Sequence, residues 1–451
     1  MEDVTGRHAA PVSRRRAWRV SGLGIGVFLL AVACFGGGLV WGMQAPGGSL
    51  GQAVASTLTP TPKAAKTPES PAPPEPDRAE PAGQANAVPG DSASPLTGLI
   101  AQAAAQAPVQ PGLTISILGV GDILTHKEII AQPIEDAGGA SRADFVPQLQ
   151  GIADLVSSAD MAVCHMEYPM GEPEGPWTAW PGIPDAPPQL AQAVADVGFD
   201  ACSTASNHVL DQGFDGMSRL LDGLDAQGLA HAGAARTAEE ASTPTIVDVK
   251  GVPIALLSYS YSLNGIPCPA GQEWCANLID APRMIDEARV ARAAGARIVV
   301  LSLHAGDEGV STPSSQQVEV MHALAESGQI DLVLGHHVHV VQPVDVIDGM
   351  WVVYGHGNLL TAQSRRDPRS GDGLISMFTF TEQSDGSFVV TDASGYAVHN
   401  DDFPFRLSLV PAIGSQTPDQ AASWQRTLEA VNGLDAASNG FRLLPWSAPS
   451  L

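Results

Sequence analysis

The sequence predicts an α/β protein with a mixed sheet system. Three observations carry that reading. Short apolar runs alternate with helix-period segments through the first two thirds of the globular part. Strand-like runs then follow one another without helices between them. Five of the apolar runs end in oxygen or imidazole side chains, and in α/β folds ligand groups gather at the carboxyl ends of strands.

In chain order, Leu113–Val120 reads as the first strand and stops at Gly121-Asp122. Ile152–Ser157 looks like a helix end. Met161–Cys164 is a second strand, stopping at His165-Met166-Glu167. Gln189–Val197 has helical spacing, Asp200–Thr204 is a strand stopping at Ser206-Asn207-His208, and Phe214–Gln227 is a helix. Thr245–Val249 and Pro253–Tyr259 read as a hairpin around Lys250-Gly251. Ile285–Ala294 is helical, Arg297–Leu303 is a strand ending at His304, and Ser315–Ser327 is a helix. Asp331–Leu334 is a strand that runs into Gly335 and three imidazoles, His336, His337 and His339. Val344–Ile347, Met350–Tyr354, Leu374–Thr381 and Ser387–Val390 read as antiparallel strands, and Ala421–Val431 as a closing helix.

The histidine stretch organises the rest. His337 and His339 are two apart, and in an extended segment such residues share a face, so both can point at one centre. Neutral imidazole is the commonest metal ligand. With Asp122, Glu167, Asn207, His208 and His304 at other strand ends, the donor set is oxygen and nitrogen without thiolate. That suits zinc, manganese, iron or cobalt, and the ligand count allows two ions.

The chain has 451 residues and a net charge of −25. An acidic chain is not expected to bind nucleic acid, because a phosphate backbone needs a basic face. An anionic substrate needs local positive charge here, which a metal provides. Residues 1–19 are basic, with Arg7, Arg14, Arg15, Arg16 and Arg19. Val20–Met43 runs without a charge and would span about 36 Å as a helix, enough to cross a bilayer with the arginines on the cytoplasmic side. Residues 20–43 are therefore read as an uncleaved single-pass anchor in the cell membrane. Residues 44–110 are rich in Pro, Ala, Ser, Thr and Gly and read as a disordered linker reaching roughly 40 Å. Residues 111–451 form the globular domain, on the extracytoplasmic side. There Cys268 and Cys275 bracket a loop and could form a disulfide, whereas Cys164 and Cys202 lie in apolar runs and read as buried thiols. No Gly-x-Ser-x-Gly elbow and no Gly-x-x-x-x-Gly-Lys loop occurs, which argues against a serine hydrolase and against nucleotide-driven ligation.

Six blocks, in order, carry a resemblance to the CapA family of poly-γ-glutamate capsule synthesis proteins, which resembles the calcineurin-like metallophosphoesterases. They are Gly121-Asp122, His165-Met166-Glu167, Ser206-Asn207-His208-Val-Leu-Asp211-Gln-Gly213, His304-Ala-Gly306-Asp-Glu308, Gly335-His-His-Val-His339-Val-Val-Gln342 and Tyr354-Gly-His-Gly357-Asn358-Leu359. The resemblance covers about Ile115 to Ile413. It implies a four-layer α/β/β/α sandwich with two divalent metal ions (manganese, zinc or iron). By it, Asp122, Glu167, Asn207, His304, His337 and His339 are ligands, with Glu167 as the bridge, and His208 acts on the leaving group. His165, Asp211, Glu308, His336, His356 and Asn358 support the ligands or touch substrate. Asp307 and Glu308 are placed to orient His304. Several blocks depart from the family pattern. His165 stands for Asn, as an extra ligand or a neighbour of the ligands. Ser206 stands for Asn, Ala305 for Trp, Val338 for Pro and His356 for Leu.

The function this implies is capsule or cell-envelope polymer biosynthesis, with hydrolysis or transfer on an anionic polymer or phosphoester by metal-activated water. The alternative is a non-catalytic, metal-stabilised accessory subunit that holds or exports polymer for a membrane synthase.

Overall fold

The computed structural model describes residues 112–139, 142–179, 182–363 and 367–447. The chain divides into two units, Met1–Pro89 and Gly90–Leu451, and every described residue lies in the second. The expected anchor at Val20–Met43 and the linker lie outside the described residues. Among the described residues, no helix is long and apolar enough to cross a membrane.

Two sheets form the body. The first contains β1 (Thr114–Ile123), β2 (Met161–Met166), β3 (Ala201–Ser203) and β4 (Ala230–Ala232), which are parallel neighbours. The second begins with β5 (Thr245–Val249), β6 (Val252–Ser260), β7 (Ile298–His304) and β8 (Leu332–His336). β9 (Val344–Ile347) and β10 (Met350–Val353) complete it in the order β5-β6-β7-β8-β10-β9. The chain then returns to the first sheet. β11 (Asn358–Leu360) pairs with β1, and β12 (Asp372–Glu382) runs antiparallel along β1. β13 (Phe388–Asp402), β14 (Phe405–Leu409) and β15 (Phe441–Leu443) extend that edge. The hairpin at Lys250-Gly251 is present, and both turn residues take the positive φ that such a tight turn requires.

Side-chain alternation sorts the strands into layers. Ile115 and Ile117 of β1, Met161 and Val163 of β2, Leu256 of β6, Val300 of β7 and Leu334 of β8 share one core between the sheets. The opposite face of the first sheet, through Leu118, Val120, Ala162 and Cys164, packs on three helices. These are α1 (Lys127–Asp136), α2 (Gln189–Asp196) and α3 (Gly213–Ala226). The outer face of the second sheet, through Ala255, Val299, Leu301 and Val333, packs on α4 (Ala281–Ala293) and α5 (Ser315–Ser327). The apolar spacing of α3, with Met217, Leu220, Leu221 and Leu224 buried, is the i, i+3, i+4, i+7 stripe of a helix lying on a core. Ser314 and Gln317 form a capping box at the start of α5. α6 (Pro418–Val431) packs through Trp424 against Ala397 and Val410.

Both pairs of globular cysteines are disulfides. Cys268 and Cys275, for which the sequence allowed a bond, are joined. The reading of Cys164 and Cys202 as buried thiols is corrected: the two are register partners on the neighbouring strands β2 and β3 and are bonded. Strand register is not visible in a sequence, and here it brings the two Cα atoms to 4.4 Å.

Candidate metal centre

Two rungs of side chains meet at the carboxyl ends of the strands. In the first sheet the register aligns Asn358, Asp122, His165 and Ser203 across β11, β1, β2 and β3. In the second it aligns Ser260, His304 and His336 across β6, β7 and β8. Glycine makes the approach possible at two points. A Cβ on Gly121 would collide with the Gly357 carbonyl, which accepts the Asp122 N–H, and one on Gly335 would collide with the Tyr354 carbonyl.

Asp122 is wholly buried and touches most of the cluster. Its Oδ2 accepts the His337 backbone N–H at 3.0 Å and lies 3.2 Å from His339 Nδ1. Its Oδ1 lies 3.2 Å from His336 Nδ1 and 3.9 Å from His165 Nε2. Glu167, just past β2, is 1% exposed, and its Oε1 stands 3.7 Å from His339 Nε2. His165 Nε2 lies 3.0 Å from His304 Nδ1, and the His165 ring stacks on His336 at 4.0 Å.

Among the described residues, two groups of three side chains have ligand atoms mutually within 4.8 Å: Asp122, His165 and His304, and Asp122, Glu167 and His339. The expected bridge was Glu167; Asp122 is the carboxylate common to both groups. Both Glu167 oxygens, Asp122 Oδ1, both ring nitrogens of His336 and His337 Nδ1 are buried without a hydrogen bond. Uncompensated buried polar atoms of this kind are costly, and a divalent cation is the partner their chemistry fits.

The other expected residues fall around these groups. His337 belongs to neither; its ring lies 4.8 Å from His304 and 4.4 Å from Tyr261. Its expected shared face with His339 is not found. β8 ends at His336, and His337 and His339 take φ of 88° and 56°, so the segment is kinked rather than extended and the rings are 6.1 Å apart. Asn207 Oδ1 faces His304 Nε2 at 2.7 Å, and its amide donates to Asn264 Oδ1. The expectation for Asp307 and Glu308 is corrected: both are exposed, and the groups facing His304 are Asn207 at Nε2 and His165 at Nδ1. Asn358 Oδ1 lies 3.0 Å from His339 Nδ1, and its amide donates to the carbonyls of His339 and Ser370. His356 has Nδ1 on the Gly335 carbonyl and Nε2 on Ser376 Oγ, so this added imidazole is a structural link. His208 sits at the edge, with Nδ1 2.6 Å from Asp211 Oδ2 and Tyr168 edge-on at 5.1 Å.

Burial governs protonation. Burial acts to raise the Asp122 carboxyl, but contacts with His336 and His339 hold it well below the usual range. Burial pushes Glu167 well above that range; His339 opposes the rise and Asp122 adds to it. Burial, then neighbouring imidazoles, pushes His165 and His304 well below the ordinary histidine value. Burial and His339 lower His337 to about 4, and burial and His336 lower His356 to about 3. Burial acts to lower His339 too, but Glu167 and Asp122 bring it up to about 10. Ser203, Asn264, Tyr168 and Tyr261 were not singled out from the sequence. They lie in short strands or loops of ordinary composition, and only register and loop folding bring them here.

Fold and site together define an α/β sandwich protein with a buried carboxylate–imidazole cluster at its strand ends. Residues 116–363 match the family described as bacterial capsule synthesis protein PGA_cap, and the chain belongs to that family. It is 28% identical over 208 residues to the PGA biosynthesis protein CapA of Bacillus subtilis (strain 168), covering 45% of this chain and 53% of that one. It is 26% identical over 261 residues to a probable polyglutamine synthesis accessory protein of Mycobacterium tuberculosis (strain H37Rv), covering 54% and 65%. The matches thus span about half to two thirds of those relatives. Among solved structures, the calcineurin-like phosphoesterase YfkN from Bacillus subtilis aligns over 71% of this chain and 98% of that chain, at 15% identity and a TM-score of 0.41.

Proposed function

We propose that this chain is a metal-dependent hydrolase or transferase of capsule or cell-envelope polymer biosynthesis, acting on an anionic polymer or phosphoester. The observation that supports it is the pair of three-residue groups sharing Asp122, with unsatisfied buried oxygens and nitrogens beside them. Asp122, Glu167 and His339 would hold one divalent ion, and Asp122 and His304 would share in holding the other. Such ions supply Lewis acidity and activate water near neutral pH.

The chain's own groups have distinct tasks. Asp122 ties the two groups together. Asn358 fixes the His339 ring, and Asn207 fixes His304. Asp211 takes Nδ1 of His208, which leaves Nε2 to deliver a proton to a leaving oxygen. Tyr261, partly exposed beside His337, is placed to touch the substrate. We place the domain outside the cytoplasm on the Val20–Met43 anchor; two disulfides support an oxidising compartment.

The test is turnover of a phosphodiester and of poly-γ-glutamate by the full chain loaded with manganese or zinc. Activity abolished by His208→Ala supports the reading. A metal-replete chain inactive on both substrates would refute it. That result would favour an accessory subunit serving a membrane synthase, a reading supported by the likeness to the mycobacterial accessory protein.

A further inference from the structure

We infer that His165 is itself a metal ligand, and that it makes one of the two cation sites nitrogen-rich and selective for a borderline transition ion. This rests on the metal reading above and deepens it.

Hydrogen bonding fixes both imidazoles. The Ser203 hydroxyl donates to the Cys164 carbonyl, at 3.3 Å, so it accepts from His165 Nδ1–H at 2.8 Å. That leaves His165 Nε2 as a bare lone pair. Asn207 gives its amide hydrogen to Asn264, so its oxygen accepts from His304 Nε2–H, leaving His304 Nδ1 bare as well. These two lone pairs face each other at 3.0 Å, with Asp122 Oδ1 3.9 Å from one of them. Two lone pairs aimed together in a dry interior repel unless a cation takes both. Two nitrogens bound to one ion at about 2.1 Å stand about 3.0 Å apart at a right angle and about 3.4 Å apart at the tetrahedral angle, so the observed separation is close to that of a shared ion. The hydrogen bond from His165 Nδ1 to Ser203 is also the arrangement by which ligating histidines are oriented.

The sites are therefore unequal. One has two nitrogens and one oxygen (His165, His304, Asp122), the other one nitrogen and two oxygens (His339, Asp122, Glu167). Imidazole-rich sites suit zinc or cobalt, and carboxylate-rich sites suit manganese or magnesium. An asparagine at position 165, as in the related motif, would remove one of the two nitrogens and the difference with it.

The test strips the full chain with chelator, reloads it with cobalt, then challenges it with manganese, reading both by elemental mass spectrometry. Wild type is expected to retain one cobalt and exchange the other. His165→Asn, checked for folding by circular dichroism, should lose cobalt retention by more than tenfold. Anomalous diffraction from cobalt-loaded wild-type crystals reads the bond without any variant, with an ion expected about 2.1 Å from His165 Nε2. Cobalt retained equally by His165→Asn, or an ion held by His304 and Asp122 with His165 Nε2 beyond about 3 Å, overturns the inference and leaves the proposed function standing. A wild-type chain that binds no ion overturns both.

Discussion

Asp122 and Glu167 should differ in how much metal-induced stability each supports. A ligand present at 100 times its Kd stabilises the folded state by about 2.7 kcal/mol per site, so two sites give about 5.4 kcal/mol. A domain of roughly 330 residues unfolds with an entropy near 0.7 kcal/mol/K, so this corresponds to a Tm rise of about 8 °C, or about 4 °C for one site. Asp122 belongs to both groups and Glu167 to one. Asp122→Asn should abolish nearly the whole rise, whereas Glu167→Gln should keep about half of it. Each variant is compared with its own metal-free form, so the change in a buried charge cancels. Differential scanning calorimetry with and without manganese or zinc is the assay. If Glu167→Gln erases the rise while Asp122→Asn retains half, Glu167 is the shared ligand and the geometry has been misread. If neither variant alters it, the ions bind elsewhere.

Three further outcomes are expected. Replacing Cys164 and Cys202 together by alanine opens a loop whose ends are 38 residues apart, and the chain-entropy relation gives a loss of about 4 kcal/mol, measurable by urea unfolding; a loss below about 1 kcal/mol would count against it. The metal-free domain should lose stability on acidification below about pH 6.5, because His356 and His337 are held at about 3 and about 4 when folded while the unfolded chain takes up protons. The slope should approach about 1.4 kcal/mol per pH unit for each such histidine, and a flat profile from pH 6.5 to 5 would refute their burial as neutral rings. Asp211→Asn should lower turnover by about 10²-fold or more while metal content stays at the wild-type level, since it acts through His208; a parallel loss of metal would move Asp211 into the ion-binding set.

Much of the site was legible because strand ends can be read. Asp122, Glu167, His304 and His336 each follow an apolar run, and strand carboxyl ends converge in α/β folds. What could not be read is what register and backbone curvature decide. The left-handed kinks at His337 and His339 break the simple alternation rule, so the His336 and His339 rings each reach Asp122 at 3.2 Å while the His337 ring turns toward His304. The amide of Asn207 is drawn off by Asn264, a loop residue 57 positions away. The bond between Cys164 and Cys202 follows from β2 pairing with β3 in one particular register.

The position of β12 bears on where this protein can be cut. The family match stops at residue 363, yet β12, at Asp372–Glu382, lies beside β1 and pairs with it from Thr114 to Gly119. β12 is therefore interior to its sheet, with β13 and β14 beyond it. A fragment trimmed to the matched segment would bare the backbone of the strand that presents Asp122. Such an unpaired edge invites strand addition and aggregation. The boundary drawn by sequence similarity is thus not a unit of folding, and the segment after it is part of the scaffold that holds the chemistry in place.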